Sequence, residues 1–130
     1  MEPADIRYAS AYEYQAGRKA MSDLLQAKTV DAVFCGDDLI CMGALDEARQ
    51  SGIKVPEELG LIGFNDLEIS RWSAYDLTTI RQPTRDIIKS SIELIVGLVD
   101  EPERALEARV FPCEVVERGT LKARSPGSAA

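Results

Sequence analysis

An α/β fold built on a parallel sheet flanked by helices is the architecture this 130-residue sequence predicts, and three observations carry it. Two short runs of β-branched, aromatic and aliphatic residues, VDAVFC from Val30 and LGLIGF from Leu59, lie about thirty residues apart, the period of a βαβ unit. Between them runs one amphipathic segment with a start signal at Asp38 and a stop signal at Gly52. Both strand runs end in polar residues: Asp37 and Asp38 after the first, Asn65 and Asp66 after the second. That edge is where a parallel sheet places its ligand contacts.

Along the chain, Ala16, Ala20, Leu24 and Leu25 recur at helical spacing, so Glu13 to Ala27 predicts a helix with Gly17 as a close-packing point. VDAVFC is apolar on both faces, which predicts a buried parallel strand closed by Gly36. Asp38 is expected to cap the next helix. Its apolar positions Ile40, Met42, Leu45 and Ala48 run toward Gln50, and Gly52 supplies the left-handed residue after the last turn. Pro56 fixes the entry into LGLIGF, and the crossover should be right-handed.

LEISRWSAYD from Leu67 is mixed in character, and LTTIRQP from Leu77 reads as a short strand closed by Pro83. Thr84 to Val99 predicts a strongly amphipathic helix. Ile88, Ile92, Ile95 and Val99 form one ridge, Ile87, Leu94 and Leu98 flank it, and Thr84 with Asp86 begins it. RVFPCEVVERGT from Arg109 reads as a last strand pair or one broken strand, with Pro112 restricting its place in a ladder. The terminal SPGSAA reads as a frayed tail.

Composition narrows the function. A hydrophobic content of 45% suits one globular domain with a core, and a net charge of −7 offers no basic face to neutralise phosphates. This chain alone should not bind DNA. No apolar run reaches membrane-spanning length and the first residues lack an export signal, so the expectation is a cytoplasmic protein. Cys35, Cys41 and Cys113 stand at unrelated spacings, which favours buried free thiols over a disulfide or a metal site. The absence of histidine excludes Ser-His hydrolase triads. No calcium-loop spacing surrounds the carboxylates, and neither metal nor cofactor is expected.

If the two strands are neighbours, Asp37, Asp38, Asn65 and Asp66 converge on one rim. Such a rim suits a polyhydroxylated or amine-bearing small molecule, because carboxylates accept from hydroxyls and an amide both donates and accepts. The same residues also serve as helix cap and turn formers, and the two uses can coexist. Tyr8, Tyr12 and Tyr14 cluster ahead of the first helix, placed either to stack on a sugar face or simply to pack. Trp72, beside Arg71, is either an interface anchor or a half-buried loop residue.

VDAVFCGDDLICMGAL, GIKVPEELGLIGFND, LTTIRQP and FPCEVVERGT, in that order and at that spacing, resemble the effector-binding region of the lactose-repressor (LacI/GalR) family of bacterial transcription regulators. The resemblance covers Tyr12 to Thr120. It implies a periplasmic-binding-protein-like fold of type I, in which two α/β subdomains close over a small effector, usually a sugar or nucleobase. By motif, Asp37 falls on the polar residue that hydrogen-bonds the effector, Asn65 on the polar residue after the Gly-Phe pair, and Tyr12 on the aromatic stacking position. Asp38, Phe64 and Asp66 follow as supporting rim residues. The family dimerises through this subdomain, which implies an interface at Ile40, Cys41, Leu45, Ile69, Arg71 and Trp72. GFNDLEISRW and the acidic pair look closest to regulators of gluconate and related sugar-acid use, although an anionic effector would want an arginine clamp.

The resemblance further implies that residues 1–120 are a partial effector-binding and dimerisation domain, with 121–130 a flexible tail. The helix-turn-helix that would carry DNA binding, and most of the first subdomain, have no counterpart in this sequence. The helix at 84–99 crosses to that first subdomain in the family, so here it is expected to fold back on the remaining sheet or to be buried against a second copy. Two rivals remain at this stage: a fragment of a periplasmic sugar-binding protein, and an α/β enzyme domain using Asp37 and Asp66.

Overall fold

The computed structural model describes residue 3, residues 5–27 and residues 30–122; the tail expected to fray lies, from residue 123 on, outside the described residues. In chain order the elements are α1 (Tyr14–Ala27), β1 (Ala32–Phe34), α2 (Asp38–Gln50), β2 (Gly60–Phe64), a single 3-10 turn (Glu68–Arg71), β3 (Thr79–Arg81), α3 (Thr84–Asp100) and β4 (Glu114–Val116). The strands form one sheet in the order β1-β2-β3-β4. β1, β2 and β3 are parallel neighbours, and β4 returns antiparallel beside β3. The expected βαβ unit is therefore present. The final motif forms one short strand whose ladder begins two residues after Pro112.

Side chains alternate across a strand, so each sheet face has its own inventory. Leu61 of β2 points into a core shared with Met21 and Leu24 of α1 and with Cys41, Met42, Leu45 and Ala48 of α2. The two helices touch through glycines. A Cβ added at Gly17 would strike the backbone carbonyl of Ile40, and one at Gly43 would strike the carbonyl of Tyr14. Arg18 of α1 and Glu47 of α2 clamp the pair at 2.8 Å.

The opposite face carries Phe34, Ile62, Phe64, Ile80 and Val115, brought side by side by the pairings Phe34 with Ile62, Phe64 with Ile80, and Ile80 with Val115. Phe34 meets Phe64 edge to face, with ring centroids 6.3 Å apart. This face is open: Phe34 is 59% and Val115 53% exposed. The expectation that VDAVFC is buried on both faces fails for that reason. β1 is an edge strand, and only its helix-facing side is covered.

The expected return of the 84–99 helix onto the sheet fails as well. α3 makes no extensive contact with another element, and Ile88, Ile92, Ile95, Val96 and Val99 are all at least half exposed. Of its residues only Ser90 is buried.

Candidate ligand-binding site

At the end of β1 the backbone amide of Cys35 still donates to Ile62 O of β2 at 2.8 Å; Gly36 follows and the chain turns into α2. Asp37 holds extended angles (φ −159°, ψ 151°), and its Oδ1 accepts from the Leu39 amide at 2.8 Å. The helix cap is thus Asp37, one residue earlier than expected, because Asp38 already has helical angles and belongs to the first turn. Asp37 is 8% exposed, and its Oδ2 accepts from Asn65 Nδ2 at 2.9 Å. Asn65 Oδ1 in turn accepts from Gln82 Nε2 at 2.7 Å.

One polar chain, Asp37 to Asn65 to Gln82, therefore runs across the carboxyl ends of β1, β2 and β3. Asn65 sits at φ 110°, a costly conformation for a residue with a side chain. Its amide donating to Ile80 O at 2.9 Å and its doubly bonded side chain hold it there. The second N–H of Asn65 and the carboxamide oxygen of Gln82 leave donor and acceptor capacity, the mixture a polyhydroxylated ligand uses.

Asp38 has a different task. It is fully buried; its Oδ2 accepts from the Leu67 amide at 2.8 Å and the Ser70 hydroxyl at 2.7 Å, while Oδ1 accepts from Thr79 Oγ1 at 2.5 Å. A ligand has no access to it, so Asp38 is removed from the ligand contacts and its expected part as a supporting residue takes this form: it ties the 67–70 loop and β3 to the start of α2. Gly63 is needed beside it, since a Cβ there would strike its carboxylate.

Asp66, at φ 51° with a side chain 2% exposed, is also withdrawn from direct contact. Arg118 bonds its Oδ1 at 2.6 Å, and Arg81 and Arg71 bond its Oδ2 at 2.7 and 3.2 Å. Burial alone would raise the Asp66 pKa, but the three guanidinium hydrogen bonds outweigh it and hold the carboxyl at about 2. Gln82 joins the rim while its neighbour Arg81 turns to Asp66. The arginines brace the loop and supply no clamp within the rim itself.

Tyr12 stands 77% exposed just ahead of α1, and Phe64 is half-buried at the end of β2. Of the residues expected at an interface, Trp72 is 58% exposed, Arg71 is exposed, and Ile40 and Ile69 are half-buried. Cys41 and Leu45 are corrected: both are 0% exposed, on the stripe of α2 that faces the sheet, and neither can touch a partner. Cys35 and Cys41 are buried free thiols as expected, whereas Cys113 is exposed. Among the described residues no cluster of metal-ligating side chains occurs.

Sequence reasoning missed Gln82. The signal was available, since the rule that located Asp37 and Asn65 at strand ends applies equally to the Gln after β3. It also missed Arg118, which besides holding Asp66 donates to Leu77 O at 2.7 Å and so locks the end of β4 under the rim.

Comparison with known proteins agrees with the fold. Residues 1–121 match the periplasmic binding protein-like domain family. The HTH-type transcriptional repressor CytR of Escherichia coli (strain K12) is 34% identical over 113 residues, which is 86% of this chain and 33% of that protein. The chain thus spans about a third of the length of the curated relatives it matches. Among solved structures, the transcription regulator GntR from Chromobacterium violaceum superposes with a TM-score of 0.72 at 32% identity, covering 85% of this chain and 41% of that one. The transcriptional regulator CelR–cellobiose complex superposes with a TM-score of 0.76 at 29% identity, covering 84% and 34%.

Proposed function

This chain belongs to the periplasmic binding protein-like domain family, and on that premise we propose that it is the effector-sensing and dimerisation portion of a LacI-type transcriptional regulator, with a sugar or sugar acid as effector. The observation that carries the reading is the continuous chain Asp37–Asn65–Gln82 across three adjacent strand ends. Its donors and acceptors are pre-oriented on rigid elements, as hydroxyl recognition requires. The relatives named above are regulators, and one of them holds a disaccharide. Tyr12, exposed ahead of α1, supplies an aromatic face for the sugar ring.

In the intact regulator, a ligand bridging this rim and an opposing subdomain would favour the closed state and change DNA affinity by population shift. DNA contact would belong to a part of the regulator outside this acidic sequence, and the protein would work in the cytoplasm. Ile69, Arg71 and Trp72 would form the surface on which two copies pair, while Ile40 lies against Gly17 of α1.

Isothermal titration of the chain with a panel of neutral sugars and sugar acids tests this. A rim with one wall should bind its effector weakly, with a dissociation constant on the order of millimolar. Asn65→Gly keeps the positive φ while deleting the amide, and should weaken binding about tenfold. Gln82→Ala should weaken it several-fold. A panel in which no ligand binds the unmodified chain, or binding indifferent to both substitutions, overturns the reading.

A further inference from the structure

Cys35 and Cys41 make no contact with the rim's polar chain, yet in sequence they bracket its first member. Phe34 faces the open side of the sheet, so alternation turns Cys35, the next residue, toward the helices. Cys41 lies one turn into α2, its amide donating to Asp37 O at 3.0 Å, on the stripe that faces the sheet. The two free thiols therefore share one core cluster, with the cap Asp37 between them along the chain. The Cys35 thiol beside it, and then burial, push the Cys41 thiol well above the ordinary thiol range, so Cys41 stays protonated at neutral pH.

The two sulfurs differ in access. Cys41 is 0% exposed, whereas Cys35 lines a cavity of about 580 Å³ between α1, β1 and residues 5–9. Ile6 and Phe34 on its walls are each more than half exposed, so the cavity opens to water. Burial alone would leave such thiols inert, and the cavity supplies the route by which a small oxidant reaches one of them. We propose that Cys35 and Cys41 are a redox-sensitive dithiol, oxidised by hydrogen peroxide through this cavity to a reversible disulfide that loosens the Asp37 cap of α2. The Cys35 sulfur attacks one peroxide oxygen; the O–O bond breaks, and the leaving hydroxide takes the Cys35 thiol proton as water, which leaves a sulfenic acid. The Cys41 sulfur then attacks that sulfenic sulfur, the S–O bond breaks, and hydroxide departs with the Cys41 proton as a second water. Two electrons pass from the thiols to the peroxide. A sulfur–sulfur bond is shorter than any contact between two thiols, so closing it draws the first turn of α2 toward the end of β1. Asp37, which bonds the Leu39 amide and Asn65, lies inside the loop that the bond closes. This chemistry does not depend on what the rim binds.

Hydrogen peroxide added to the 130-residue chain tests it, with Cys113→Ser removing the exposed thiol and far-UV circular dichroism confirming that each variant is folded. Mass spectrometry should show the loss of two hydrogens and a Cys35–Cys41 cross-link that dithiothreitol reverses. In the same background Cys41→Ala should stop at a sulfenic acid on Cys35, trapped by dimedone, whereas Cys35→Ala should leave Cys41 unoxidised. By NMR, the Leu39 amide should exchange several-fold faster in the oxidised chain and recover on reduction. A folded Cys113→Ser chain that keeps both thiols overturns the proposal, and so does a Cys41 oxidised as readily without Cys35. A disulfide that leaves Leu39 exchange unchanged overturns its link to the cap.

Discussion

The two faces of this sheet are built from similar residues and meet opposite fates. On one face Leu61 is completely buried against Leu45 and Cys41 of α2, themselves fully buried; on the other Phe34 and Val115 keep more than half their surface in water. The two amphipathic helices that follow β1 and β3 divide the same way. α2 presses its apolar stripe into the core, while α3 leaves its ridge exposed. Hydrophobic pattern thus states that a face is made to be covered, and says nothing about which chain covers it. The division bears on the proposed function, because the rim to which we assign ligand binding is supported by the buried carboxylates of Asp38 and Asp66.

The comparison breaks most sharply at the α1–α2 crossing. Gly43 lies against the Tyr14 carbonyl and the Arg18 amide, so Gly43→Val forces two backbones apart and the core beneath them with them. Backbone, unlike a side chain, has no alternative rotamer to retreat into. We expect a loss of at least about 3 kcal/mol, a large part of a small domain's whole stability, read as a collapse of the urea midpoint. A midpoint displaced by less than the equivalent of about 1 kcal/mol would show that the helix layer is not what holds the covered face together.

Much of the covered side was legible in the sequence. The strand period, the helix between the strands and the polar strand ends all depend on local spacing, and each is present. The move of the helix cap from Asp38 to Asp37 was not legible, because it turns on which residue first adopts helical angles, a boundary that spacing leaves open by a residue or two. Family resemblance puts Cys41 and Leu45 on a surface, whereas the stripe Cys41, Leu45, Ala48 already has the period of a core face. Arg118 was beyond local reading altogether. It acts on Asp66 across 52 residues, a separation only the folded sheet closes.

Acid titration sharpens the same contrast with a smaller effect. The Asp66 carboxyl is held at about 2, below the usual range near 3.9, so its folded-state pKa is depressed. Its contribution is present in full above the unfolded value and is lost as pH falls from about 4 through 2. Arg71 and Arg81 are exposed and screened by solvent, which limits the contribution to on the order of 1 to 2 kcal/mol. Asp66→Asn should flatten the acid limb of the stability curve over that interval. An acid limb identical in both proteins would mean the three arginines hold the loop without discriminating the charged carboxyl.

The smallest effect belongs on the open face. Val115 lies 53% exposed on β4, beside Ile80, and exchanging one methyl for a hydroxyl there buries no unsatisfied group because water already reaches the side chain. Threonine also keeps the β-branch that an extended strand favours. Val115→Thr should therefore change stability by less than about 0.5 kcal/mol, measured by urea denaturation over a range of protein concentrations. A cost of about 1 kcal/mol or more would mean that this face is buried in solution, by a second copy or by a segment of the chain itself. The difference between the two faces would then be one of partners met at different stages of assembly, with both faces equally part of a core.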